Sequence, residues 1–192
     1  MSAKEKKERA KEEEVGKTKK TLKTKAENMS FFDSEYQYIS TKRTFGLCDD
    51  EPPPHKPAYL DETDGSKWIA VVVNDAQLEV RFVALDHCIK LFKPDGKTED
   101  RCSDGLLEYD STIIFVELTT ATHKNWKSDK DEQLRITINH FEKTTESKRY
   151  DVKKAYMANS NFRIVRPGYQ ARMDKFLNDT GYDLRIENRI VL

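Results

Sequence analysis

Two carboxylates thirteen positions apart, Asp104 and Glu117, each border a short apolar run, and Gln133 follows in a segment with helical spacing. Ile113, Ile114, Phe115 and Val116 form a β-branched and aromatic run ending in Glu117, the pattern of a buried strand that carries a carboxylate to its end. Leu106, Leu107 and Tyr109 form a shorter run just after Asp104, with turn-like Asp110-Ser111 between the two. Paired as a hairpin, the runs bring Asp104 and Glu117 to the same end. Two carboxylates meeting there suit a hard divalent cation, which takes oxygen ligands. The plain alternative is a glutamate ending a strand at the surface and an aspartate capping a turn.

The elements that would position these residues follow from periodicity. The segment KWIAVVVN, residues 67–74, reads as a strand by its β-branched content. Residues 79–92 read as a strand bent at Asp86, or as two short strands, followed by a Pro94-Asp95-Gly96 turn. After the hairpin the period changes. Leu134, Ile138 and Phe141 predict an amphipathic helix over 129–143, with Ser128 or Asp129 as N-cap. Residues 153–158 return to strand, 167–179 read as helix stopped by Gly181, and 182–192 alternate as one closing strand. The order predicts an α+β (α/β) domain with a mixed central sheet flanked by helices. Between Thr41 and Gly65 the three consecutive prolines, Pro52 to Pro54, predict a surface connection.

Residues 1–40 read as a charged tail, disordered or a frayed helix, ending in an aromatic docking segment with Phe31, Phe32, Tyr36 and Tyr38; residues 41–192 read as one globular domain. Lys17, Lys19, Lys20, Lys23 and Lys25 cluster in the tail and suit nucleic acid, or simply solvate it. With 34 basic and 34 acidic residues, net charge gives no global reason to expect a polyanionic partner. Cys48, Cys88 and Cys102 are widely spaced, so reduced thiols and a cytoplasmic location are expected. No apolar run approaches the roughly 18 residues of a membrane span.

The paired acids with the tripeptide Glu117-Leu118-Thr119 resemble the PD-(D/E)XK nuclease superfamily, with Asp104 matching the Asp, Glu117 the Glu, and Thr119 standing where the lysine is usual. The segments FGLCDD, DGSKWIAVVVN, FVEL, KKAYMANS and NDTGYDLRIENRIVL also resemble a group of small uncharacterised bacterial proteins, seen especially in Bacteroidetes, that more often read VELK. That likeness runs from about Phe45 to Leu192. The resemblance implies a restriction-endonuclease-like fold and Mg²⁺ held by Asp104, Glu117 and the Leu118 carbonyl. It also implies nucleic-acid cleavage, in a defence or mobile-element setting. A lysine displaced to the connection after Glu117 (Lys124, Lys127 or Lys130) would replace the missing one, and Gln133 would orient a ligand or phosphate.

Other candidates have simpler uses. His87 and Cys88 are strand neighbours that point to opposite faces, and only His123 lies near enough in sequence to the acids to act as a base. Lys124, Trp126, Lys127 and Lys130 interleave basic and aromatic groups that suit phosphate and base contact, or pack a loop. The expected function is an atypical metal-dependent nuclease. The reading of a different class is a catalytically silent module that binds a protein partner or a second copy of itself.

Overall fold

A computed structural model describes residues 30–50, 56–123, 125–161 and 169–192. The fold is mixed α+β, built from two mixed sheets and two α-helices among the described residues. The larger sheet has six strands: β1 (Gln37–Ser40), β5 (Val80–Ala84), β6 (Gly105–Tyr109), β7 (Thr112–Thr119), β8 (Val152–Asn159) and β9 (Asp183–Arg185), in that spatial order. The first four pair antiparallel, and β8 and β9 continue parallel to β7. The smaller sheet orders β10 (Arg189–Val191), β4 (Ala70–Val73), β2 (Thr44–Cys48) and β3 (Tyr59–Asp61).

Strand alternation divides the apolar residues between two cores. Val83, Leu106, Ile113, Phe115, Ala155 and Met157 face helices α1 (Trp126–Phe141) and α2 (Gln170–Thr180), while Phe82, Leu107, Ile114, Val116, Tyr156 and Ala158 face the small sheet. The six-stranded sheet is therefore covered by helices on one face and by a second sheet on the other, a correction to flanking by helices alone. Its centre is dry on both sides: all eight residues of β7 are buried, which is why that stretch reads as continuous rather than alternating.

The hairpin of β6 and β7 closes through Asp110-Ser111, with Tyr109 opposite Thr112 and Asp110 at φ 46°, a left-handed conformation that Asp tolerates. Helix α1 lies over β7 and β8, and its stripe of Trp126, Leu134, Ile138 and Phe141 meets Phe31 and Phe115. The Phe31, Phe115 and Phe141 rings pack edge-on, with centroids 5.1 to 6.2 Å apart.

Several sequence expectations change. Phe31 is wholly buried and residues 37–40 form a sheet strand, so the aromatic end of the tail is part of the domain; residues 1–29, with the lysine cluster, lie outside the described residues. The connection expected over 41–65 contains β2 and β3. Helix α1 starts at Trp126, and its N-cap Asn125 makes no side-chain cap, so neither Ser128 nor Asp129 caps it. The closing strand is two: Leu184 and Ile186 stay in the helix-side core, and the chain then crosses to the small sheet, where Ile190 is buried. Gly181 does end α2, at φ 79°.

Candidate functional site

Antiparallel register sets the site. Gly105 lies opposite Val116, so Asp104, one residue before β6, comes beside Glu117 near the end of β7. Both belong to the parity of Leu106 and Phe115 and therefore face the helices. Asp104 Oδ2 accepts the Leu118 backbone N–H at 2.5 Å, fastening it to the neighbouring strand.

Helix α1 adds the third member. Lys130 sits one turn before Leu134 on the stripe that continues to Ile138 and Phe141, so its side chain is directed inward. Its Nζ stands 2.7 Å from Glu117 Oε2 and 3.8 Å from Asp104 Oδ2, and its side chain keeps 19% exposure. Glu117 is fully buried. The contact with Lys130 at Oε2 has ion-pair length, and Glu117 Oε1 has no hydrogen-bond partner. A buried carboxylate with open lone pairs is unusual, because such groups nearly always find donors.

The charges do not balance within the triad. If both acids ionise, one ammonium faces two carboxylates. Burial, reinforced by Asp104, pushes Glu117 well above the usual glutamate range, against the pull of Lys130. Burial likewise pushes Asp104 up to about 6, with Lys130 and the Leu118 N–H opposing and Asp49 and Asp86 adding to the rise. For Lys130, burial works against the charge. Asp104 and then Glu117 outweigh that and hold the ammonium above the usual lysine range. The cluster thus favours a proton, or another cation, shared between the acids.

Asp104 and Lys130 open on a cavity of about 130 Å³ lined also by Asp49, Asp86, His87 and Gln133, with Lys56 among the remaining lining residues; Glu117, wholly buried, is not on its wall. Gln133 is therefore at the site, but its Nε2 donates to the Cys102 carbonyl at 3.3 Å, so it holds the chain that leads into Asp104.

The other sequence candidates separate from this point. Lys124 lies outside the described residues. Lys127 faces aromatic rings instead, its Nζ 4.9 Å from the Trp126 centroid and 5.1 Å from that of Tyr169. Trp126 itself is 2% exposed, packed in the core rather than presented for stacking. Arg135 bonds Asp131 and Asp179. His123 is exposed in the loop before α1 and does not line the cavity, and His140 Nε2 is 3.2 Å from Asp100. Thr119 is buried at the end of β7, and its Oγ1 accepts the Ala121 N–H at 3.1 Å. The three cysteines are free.

Lys130, expected in the polar connection after Glu117, lies four residues before Leu134 on the buried stripe. A lysine at such a position is a signal for an internal ion pair. Among the described residues, no group of three or more His, Cys, Asp and Glu side chains is arranged to hold a metal. Two carboxylates remain compatible with Mg²⁺, which keeps several waters and commonly takes only one or two protein carboxylates. No protein-family model, curated protein or solved structure matches this chain. No helix among the described residues is long and apolar enough to cross a membrane.

Proposed function

We propose that the chain is a metal-dependent nuclease of the PD-(D/E)XK type in which Lys130, on α1, does the work of the lysine that Thr119 replaces. The observation that carries this reading is the meeting of Asp104, Glu117 and Lys130 at one point, with Glu117 Oε1 lacking a hydrogen-bond donor. The chain order around the site supports it further: an antiparallel β5–β6–β7 meander, then a helix, then β8 parallel to β7, with Asp104 just before β6 and Glu117 near the end of β7. The restriction-endonuclease-like architecture is part of the same proposal.

The residues fit a divalent cation: Asp104 and Glu117 offer oxygen ligands, and the excess negative charge is the kind a cation neutralises. Bound there, Mg²⁺ supplies polarisation of a phosphodiester and a lowered pKa for an attacking water. The chain's own groups do the rest. Asp104 is held by the Leu118 N–H, Glu117 is shielded from bulk water, and Lys130 places a positive charge at the point where phosphate charge gathers. Three free cysteines are in keeping with a reducing cytosolic setting.

The test is cleavage of plasmid and single-stranded DNA and of RNA, with Mg²⁺ or Mn²⁺, by the full chain. Cation-dependent cleavage lost in Glu117→Ala, and reduced at least about a hundredfold in Lys130→Met, supports the reading. Absence of cleavage of every substrate with either ion contradicts it. It would then favour a silent interaction module, for which edge strand β1 exposes Tyr36 nearby and Ile39 at 62%.

A further inference from the structure

Asp104 stands just before β6, where its carbonyl accepts the Leu85 N–H at 3.0 Å and its carboxylate accepts the Leu118 N–H. The two residues that lead into it are held by α1. The Ser103 backbone N–H donates to Thr137 Oγ1 at 2.7 Å, and the Thr137 hydroxyl in turn donates to the Gln133 carbonyl at 2.9 Å. Gln133 Nε2 reaches the Cys102 carbonyl at 3.3 Å. Lys130, one turn earlier, faces Asp104 itself. Thr137 and Ser103 are both fully buried, so water does not compete for their hydrogen bond.

We infer that Thr137 is a positioning residue: its hydroxyl ties the backbone immediately before Asp104 to α1, the helix that carries Lys130, and so fixes the spacing between carboxylate and ammonium. The inference rests on the proposed reading of Asp104 and Glu117 as a cation site only for its effect on metal affinity, not for its effect on Asp104. A valine has the shape of threonine without the hydroxyl, and Thr137→Val leaves the Ser103 N–H buried with no acceptor. The segment then relaxes away from α1. Serine keeps the hydroxyl at the cost of one methyl group.

The experiment compares wild type, Thr137→Val, Thr137→Ser and Thr144→Val. Thr144 is a control because its buried hydroxyl donates only to the Phe141 carbonyl, at the far end of α1. The readouts are titration of the Asp104 carboxyl by carbon NMR, Mn²⁺ affinity by calorimetry, and thermal unfolding. Thr137→Val is expected to shift the Asp104 titration and weaken Mn²⁺ binding by about tenfold or more, as loss of an orienting partner behind a ligand does. Thr137→Ser should restore both, and Thr144→Val should lower stability without moving either. An Asp104 titration unchanged in folded Thr137→Val overturns the inference, as does an equal shift in Thr144→Val. Should wild type bind no Mn²⁺ while the titration shifts and recovers as described, the positioning role stands and the cation reading fails.

Discussion

Removing the Lys130 charge tests the site's energetics without assuming catalysis. In Lys130→Met the stem of the side chain still fills its place on α1, but Glu117 and Asp104 lose the one ammonium within ion-pair distance of them among the described residues. At an effective dielectric constant of about 20, unit charges at the 2.7 Å separation attract by about 6 kcal/mol. Part of that offsets the desolvation of both groups, and breaking a buried pair on one side typically costs 3–5 kcal/mol, roughly. The fold has an escape: Glu117 can take up a proton. Holding an ordinary glutamate protonated costs about 1.4 kcal/mol per pH unit above its usual pKa, so the share of the loss that falls on Glu117 is capped at about 4 kcal/mol at pH 7.5 and about 1 kcal/mol at pH 5. Urea unfolding of wild type and Lys130→Met at both pH values measures this, and Lys130→Met with Glu117→Gln should recover much of the loss at pH 7.5. A deficit below about 1 kcal/mol at pH 7.5, one that is equal at the two pH values, or a double variant no more stable than the single one refutes the reasoning.

Two further outcomes follow from neighbouring features. Asp104 has a folded pKa raised to about 6, so its contribution to stability is fully present below its ordinary pKa and is lost as pH rises through about 6. Relative to an Asp104→Asn variant, wild type should therefore lose roughly 2–3 kcal/mol between pH 4 and pH 7, seen as a divergence of urea midpoints; parallel profiles would count against a buried, raised carboxyl. On the small sheet, a Cβ at Gly46 would fall inside the Trp68 indole, whose Nε1 is fixed to Asp61 at 2.7 Å. Gly46→Ala should cost about 1–3 kcal/mol or more and red-shift tryptophan emission, and an unchanged spectrum with unchanged stability would show that Trp68 does not cover that strand.

The β6–β7 hairpin and its acids were legible because their signals are local: continuous apolar residues, a two-residue turn, and a carboxylate at each matching end. The two-faced burial of β7 also appears in sequence, as a run without alternation. Strands β2 and β3 were not legible. The segment TFGLC contains a glycine and is followed by acids and three prolines, so its propensity is weak; pairing with β4 and the indole of Trp68 over Gly46 make it a strand. The closing strand read as one because Leu184 and Ile186 keep a period of two. The step to Ile190 also preserves parity, so nothing in the pattern marks the passage between sheets. Lys130 looks like a loop lysine because charge usually signals solvent, whereas its place four residues before Leu134 marks it as internal. Thr137, also on the buried side of α1, carried no signal of its own, since a buried threonine commonly satisfies itself on the preceding turn.

The most direct test of the central claim is calorimetric titration of Mn²⁺ into the full chain, wild type against Glu117→Gln, repeated at pH 6 and pH 7.5. A cation at Asp104 and Glu117 must displace the proton that burial favours there, so binding should be tighter at pH 7.5, release protons at pH 6, and weaken at least tenfold in the variant. Equal affinity in wild type and Glu117→Gln, or no binding at either pH, would contradict it.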